Sequence, residues 1–257
     1  YNKKFFLGTD VGSSWTKVVV IDEARVMQGC AAGRSGTDFA AAAERYGQQA
    51  LDMANISDEK VARSVSTGYG RKNVASADDH RTEISCHARG CFYYYPRALT
   101  IIDIGGQDNK IIKIDDQGRR LGFKMNRKCA AGTGAFLEEM AARLDLPLKE
   151  MNALAQNSED MVKIGSFCTV FSATEVLEFI RQGKPIDAIV KGIFHSMIQR
   201  VLEMDSLTEW VVMTGGVVAH NPYLVQMAEE MIGRPVLVPE RPQLTGALGA
   251  ALYAQTL

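Results

Sequence analysis

The chain has 257 residues, with 29 Lys and Arg against 30 Asp and Glu, a formal net charge of −1. That balance speaks against a broad surface for nucleic acid or an anionic membrane, and no apolar run reaches the roughly 18 residues a spanning helix needs. Hydrophobic residues make up 46% and charged residues 23%, the profile of a globular chain with a core. No long apolar stretch follows Lys3 and Lys4, so no secretory signal is expected in this sequence. The five cysteines, Cys30, Cys86, Cys91, Cys129 and Cys168, are odd in number and dispersed. They do not read as a disulfide framework, and a reducing cytoplasm is expected.

Residues 5–7 open a strand that leads through Gly8, Asp10 and Gly12 into the small residues Ser13 and Ser14. A second strand follows from Thr16 and Lys17 to Ile21. The stretch 37–53 is Ala-rich with apolar positions at helical spacing and Asp38 near its start. Residues 61–67 read as a strand running into Thr67-Gly68-Tyr69-Gly70-Arg71, and Tyr93-Tyr94-Tyr95-Pro96 as a packed loop. A second strand–turn–strand begins at Ile101 and continues through Asp103, Gly105, Gly106, Gln107 and Asp108 to Ile114. Helical patterns cover 134–144, 172–182 and 186–202, with Ser172 and Glu175 at capping-box spacing. Trp210 to Thr214 reads as a buried strand entering the turn Gly215-Gly216-Val217. A short strand at 236–238 and an Ala-rich helix at 244–257 complete the pattern. Strands alternating with helices give the α/β class.

The two strand–turn–strand segments repeat each other. Asp10, Gly12, Lys17, Ile21 and Asp22 match Asp103, Gly105, Lys110, Ile114 and Asp115 at one constant offset of 93. One copy alone reads as an ordinary hairpin with a Gly turn; two in register predict two related lobes. Glycines and small residues let backbone N–H groups approach a phosphate, and an Asp at a strand end suits a hydrated Mg²⁺. Lys17 and Lys110 read equally well as phosphate ligands or as solvated strand lysines. No Walker A loop and no G-x-G-x-x-G after the first strand are present.

Two such turns followed by a late strand and Gly-Gly turn resemble the actin, sugar-kinase and Hsp70 ATPases. The resemblance implies a two-lobed actin-like (ribonuclease H-like) fold with a nucleotide cleft between duplicated βαβ lobes. The expected division is 1–98 plus 244–257 against 99–243. The implied nucleotide ligands are Gly12, Ser13, Ser14, Thr16 and Lys17 from one lobe and Gly105, Gly106 and Gln107 from the other. Gly215, Gly216 and Val217 would pack on the adenosine. Asp10 and Asp103 would position Mg²⁺ through water, and Gln107 would orient the attacking water, since an amide both donates and accepts.

Cys129 and Cys168 each precede a helical pattern, a setting that favours the thiolate form that binds metal. From spacing alone they read as two core cysteines, the commoner fate of that residue. Two thiols per chain fall short of the four that commonly hold a [4Fe–4S] cluster, whereas a two-fold dimer would supply them. Cys86 and Cys91 lack further ligands nearby and read as core cysteines.

Several ordered motifs resemble one family. They are Ile102-Asp103-Ile104-Gly105-Gly106-Gln107-Asp108, Lys128-Cys129-Ala130-Ala131-Gly132-Thr133-Gly134, Cys168-Thr169-Val170-Phe171, Thr214-Gly215-Gly216-Val217 and the Gly- and Ala-rich segment 242–251. Glu83-Ile84-Ser85-Cys86-His87 is similar to a further family segment. The family is that of the ATP-dependent activators of 2-hydroxyacyl-CoA dehydratases, with the ATPase subunits of benzoyl-CoA reductase. The resemblance spans about residues 7–254. It implies a homodimer, or a pair with a related chain, sharing one [4Fe–4S] cluster through Cys129 and Cys168 of each chain. ATP hydrolysis would drive an electron from ferredoxin or flavodoxin through it into an iron–sulfur dehydratase or reductase. Thr133 and Gly134 resemble the family's helix start near the nucleotide. Trp15 and Arg127 depart from the pattern, where the family often has a small and an acidic residue. A small-molecule kinase and a non-redox ATPase switch are the competing functions on this fold. A kinase would need an Asp where Gln107 stands.

Overall fold

The computed structural model describes residues 3–165 and 168–257. In chain order the elements are β1 (Phe5–Val11), β2 (Trp15–Asp22), β3 (Met27–Arg34), α1 (Phe39–Ala54), β4 (Val61–Thr67), β5 (Asp79–His80) and α2 (Glu83–Tyr94). Then follow β6 (Leu99–Ile104), β7 (Asn109–Ile114), β8 (Arg120–Asn126), α3 (Gly134–Arg143), α4 (Met151–Asn157), α5 (Thr169–Arg181) and α6 (Ile186–Leu202). The chain ends with β9 (Val211–Thr214), α7 (Gly216–His220), α8 (Tyr223–Ile232) and α9 (Thr245–Ala254). It divides into a unit of Tyr1–Ala98, Ile112–Gly122 and Gln243–Leu257 and a second unit of Leu99–Ile111 and Phe123–Pro242.

The first sheet runs β3-β2-β1-β4-β5 and the second β8-β7-β6-β9, so both start from the same third-second-first-fourth order. In the first, β1 and β2 are antiparallel, as are β2 and β3, whereas β4 joins β1 in parallel. In the second, β9 lies parallel to β6.

Alternation along β2 explains the first unit's layers, because successive strand side chains point to opposite faces. Val18 and Val20 pack with Ala42, Ala50 and Leu51 of α1. Val19 and Ile21 pack with Ala247, Leu248 and Ala251 of α9. Both faces are covered, so the strand is a continuous apolar run. Helix α9 is Ala- and Gly-rich because it meets backbone. A Cβ on Gly8 would collide with Ala247 and Ala251, one on Gly249 with Cys86, and one on Gly90 with Thr245. In the second unit, Ile102, Ile104 and Ile111 pack with Phe136, Leu137 and Met140 of α3 and with Phe194 of α6.

Several expectations are corrected. Helix α5 begins at Thr169 with Cys168 as its N-cap, so Ser172 lies inside the first turn and not at a cap. Glu175 Oε2 accepts instead from the Gly165 N–H at 2.7 Å. Ser166 and Phe167, inside the second cysteine motif, lie outside the described residues. Tyr93 and Tyr94 belong to α2, and 236–238 forms only a bridge between Leu237 and Val212. Helix α2 escaped the periodicity reading because much of its buried face consists of Cys86, His87, Gly90 and Cys91, which carry no strong apolar signal.

Candidate functional site

The two Gly turns superpose bond for bond on the sequence repeat. Gly12 N–H donates to Trp15 O at 3.0 Å, and Gly105 N–H donates to Asp108 O at 2.9 Å. A Cβ on Gly12 would lie 2.7 Å from Trp15 O, which excludes a side chain, and one on Gly105 would lie 3.0 Å from Asp108 O, where a side chain would be crowded. Lys17 Nζ meets Asp10 Oδ2 at 3.3 Å, and Lys110 Nζ meets Asp103 Oδ2 at 3.2 Å. The likeness continues past the second strands. Asp22 Oδ1 accepts from the Ala24 and Val26 N–H groups, and Asp115 Oδ1 from those of Gln117 and Arg119. Lys110 is fully buried, which rules out the solvated-lysine reading there.

Each aspartate also faces a threonine that is followed by a left-handed glycine. Asp10 pairs with Thr67 in the β1–β4 register, and Asp103 with Thr214 in the β6–β9 register. Thr214 Oγ1 donates to Asp103 Oδ1 at 2.9 Å. Gly68 (φ 92°) and Gly215 (φ 104°) press on the carbonyls of Val11 and Ile104, which a side chain would strike.

Within the first unit, Asp10 is buried between glycines. A Cβ on Gly68 would lie 2.6 Å from Asp10 Oδ1, and one on Gly246 would lie 3.0 Å from Oδ2 and 3.2 Å from His87 Nε2. His87 Nδ1 is 3.1 Å from Thr245 Oγ1. Thr16 is buried with its hydroxyl 2.9 Å from that of Ser35, which itself donates to Gly12 O at 2.7 Å. Ser13 and Trp15 are exposed at the turn, with Ser14 half-buried between them.

Within the second unit the turn, the α3 start and the β9 turn converge. Gly134 N–H donates to Gly105 O at 2.9 Å and Ala135 N–H to Gly106 O at 2.8 Å. A Cβ on Gly134 would lie 3.1 Å from Gly106 Cα and 3.2 Å from Val217 Cγ2. Thr133 is buried, its hydroxyl donating to Ala130 O at 2.6 Å. Gly216 opens α7, and Gln107 is exposed on the Gly105–Asp108 turn.

Cys168 is exposed and Cys129 half-buried, so neither is a core cysteine; Cys86 and Cys91 are. Asn126 brackets Cys129, its Nδ2 donating to Cys129 O at 2.8 Å and its Oδ1 accepting from Cys129 N–H at 3.2 Å. Arg127 Nε stands 3.6 Å from Asp108 Oδ2. Among the described residues no group of three or more His, Cys, Asp or Glu side chains is gathered to hold a metal ion.

The profile of the BadF/BadG/BcrA/BcrD ATPase family matches residues 7–254. The chain belongs to this family. It is an ATPase of the actin-like fold. As a member of the BadF/BadG/BcrA/BcrD family it is 42% identical over 253 residues to the activator of lactoyl-CoA dehydratase of Anaerotignum propionicum, with 97% of both chains covered. The crystal structure of component A of the Acidaminococcus fermentans (R)-2-hydroxyglutaryl-CoA dehydratase matches with TM-score 0.93 and 36% identity, covering 98% of each chain. The Clostridium difficile activator of 2-hydroxyisocaproyl-CoA dehydratase, solved with bound ADPNP, matches with TM-score 0.90 and 39% identity, covering 98% of this chain and 94% of that one.

Sequence reasoning missed Ser35, Thr67, His87, Thr214, Thr245 and Gly246, all within the polar surroundings of these turns. His87, Thr214, Thr245 and Gly246 stood in family motifs and Thr67 at a strand end, but none was given a role at the turns; Ser35, just past β3, stood in no motif.

Proposed function

We propose that this ATPase is the activator of an iron–sulfur 2-hydroxyacyl-CoA dehydratase or benzoyl-CoA reductase-type enzyme. It would act in the cytoplasm as a dimer holding one [4Fe–4S] cluster through Cys129 and Cys168 of each copy. The observation that carries this reading is the placement of Cys168. It is exposed at the N-cap of α5, and the helix beyond it presents Val170, Phe171, Leu177 and Ile180 to solvent. Val170 and Leu177, seven residues apart, share one stripe of the helix, and exposed apolar side chains beside an exposed thiol suit a subunit interface better than a free surface. The donor set fits the group: two accessible thiols per chain make four in a two-fold dimer, the usual complement. When bound, such a cluster supplies one-electron transfer at low potential, accepted from ferredoxin or flavodoxin.

The residues around the two turns fit a Mg²⁺–nucleotide. Gly68 and Gly246 leave the Asp10 carboxylate uncrowded; a side chain at Gly68 would strike backbone, and one at Gly246 would crowd Asp10 and His87. Asp10 and Asp103 would hold the ion through water. Gly12, Ser13, Ser14, Thr16, Lys17, Gly105 and Gly106 would form the phosphate-binding turns. Thr133 and Gly134 would border the nucleotide, and Gly215, Gly216 and Val217 would receive its adenosine. Gln107, free at the crest of its turn, would orient the attacking water.

The test is iron and acid-labile sulfide per dimer in protein purified without oxygen, with Cys129→Ser alongside. About four of each, lost in the variant, establish the shared cluster. Iron-free protein whose ATPase activity is indifferent to Cys129→Ser leaves a non-redox ATPase switch instead.

A further inference from the structure

We infer that Asn109 is a positioning residue that ties the Gly105–Asp108 turn to the Cys129 loop, so that nucleotide at the turn alters the cysteine's surroundings. The inference rests on the reading of that turn as a phosphate site. The loop leaves β8 at Asn126 and enters α3 at Gly134. It is fastened to the turn by the two backbone bonds of Gly134 and Ala135 and by Asn109 Nδ2, which donates to Gly132 O at 3.0 Å. The Arg127–Asp108 pair adds little, since that arginine is half exposed. Asn109 is therefore the buried side-chain fastening.

Its chemistry is unusual for its place. Asn109 opens β7 and is fully buried, beside strand residues such as Ile111 and Ile112. Its Oδ1 makes no hydrogen bond. A buried acceptor without a partner is costly, and an apolar residue would serve strand packing without that cost. The donor half of the amide is the part in use, and it reaches the loop where Gly132 turns left-handed (φ 82°). A Cβ on Gly132 would lie 2.7 Å from Asn109 Nδ2. On the loop's other side, Asn126 bonds both the N–H and the carbonyl of Cys129. Asn126 Nδ2 also donates to Ala131 O at 3.5 Å, so one side chain joins Cys129 to the residue before Gly132.

The test uses cluster-free full-length protein. Iodoacetamide alkylation of Cys129 is followed by peptide mass spectrometry with and without saturating Mg-ADPNP, and Cys168 in the same samples reports general changes in exposure. In the wild type the nucleotide is expected to change the Cys129 rate by about fivefold or more, the scale of an ordinary coupling between sites. In Asn109→Ala the change is expected to fall below about twofold while ADPNP affinity stays within about threefold. Asn109→Asp keeps the size and loses the donor, and serves if the alanine variant unfolds. A variant that keeps the wild-type response overturns the inference, as does a wild type that binds ADPNP without any response at Cys129. A wild type that binds no ADPNP overturns the phosphate-site reading itself, which the binding titration reveals before alkylation begins.

Discussion

Lys110 Nζ lies 3.2 Å from Asp103 Oδ2 and 2.8 Å from Asp108 Oδ1, with the Lys110 and Asp103 side chains each only 4% exposed. Its counterpart in the repeat, Lys17, meets Asp10 at 3.3 Å with 20% of its side chain exposed. Burial should separate the two pairs energetically. Lys110→Met removes the buried cation between Asp103 and Asp108, with the half-exposed Arg127 still beside Asp108, and is expected to cost about 3–5 kcal/mol. Lys17→Met retains a solvent path and should cost about 1 kcal/mol or less. Urea denaturation compares them directly, and equal losses would show that burial is not what distinguishes the pairs.

Gly246→Ala tests the space beside Asp10. Exchanging glycine for alanine inside a helix ordinarily stabilises by about 0.5–1 kcal/mol. Here the new methyl would meet Asp10 Oδ2 at 3.0 Å and His87 Nε2 at 3.2 Å. The expected outcome is near-unchanged thermal stability with Mg-ADP affinity lowered about tenfold, a shift of about 1.4 kcal/mol. Calorimetric titration checks it, and an unaltered affinity would remove Asp10 from the ion's surroundings.

Gln107→Ala should lower the kcat of ATP hydrolysis by about 100-fold while leaving nucleotide affinity within a few-fold, because a water-orienting group acts on the transition state more than on the bound ground state. An equal effect on both quantities would assign the residue to binding.

The cysteines should differ sharply in reactivity. Burial pushes the Cys86 thiol up to about 12, and the nearby Asp10 and Glu83 charges add to that, while the Thr67 hydroxyl and Arg81 oppose it only in part. Cys86 therefore stays protonated at pH 8, and the thiolate is the reacting form. In cluster-free protein Cys168 is expected to label promptly at pH 8 and Cys86 only on unfolding. Labelling of folded Cys86 at the rate of Cys168 would contradict its burial.

Asp22 links stability to pH. Burial would raise its carboxyl, but the Val26 and Ala24 N–H groups and the Lys3 ammonium outweigh that and hold it below the ordinary 3.8. A carboxyl depressed in the folded state stabilises above the unfolded value and loses that contribution as pH falls through the folded one. Asp22→Asn should be less stable than wild type at pH 7, and the two should converge below about pH 3. Urea midpoints between these values provide the measurement; a pH-independent gap would exclude ionisation as the cause.

The duplicated β1–β2 and β6–β7 units were legible because their constraints are local. Gly12 and Gly105 each need room beside a carbonyl three residues on, and Asp10 and Lys17 are cross-strand partners only seven residues apart. Such requirements leave a fixed spacing in the chain. Helix α6 was legible at 186–202 because its apolar positions keep helical spacing throughout. Helix α2 was not, because it buries cysteine, histidine and glycine where a periodicity reading looks for Leu, Ile and Val.

The sequence by itself determined the repeat, the α/β class, the two turns, the paired aspartates and the two cysteines that each precede a helical pattern, since each is written within a short stretch. Only the tertiary structure decided that Thr67 and Thr214 stand opposite Asp10 and Asp103, that Ser35 holds the first turn, and that Lys110 is buried. It alone joined Asn109 to Gly132 across 23 residues and set His87 beside Thr245, 158 residues away. Those relations depend on which strands become neighbours and which helices cover them, and parallel pairing through a crossover leaves no fixed spacing in the chain.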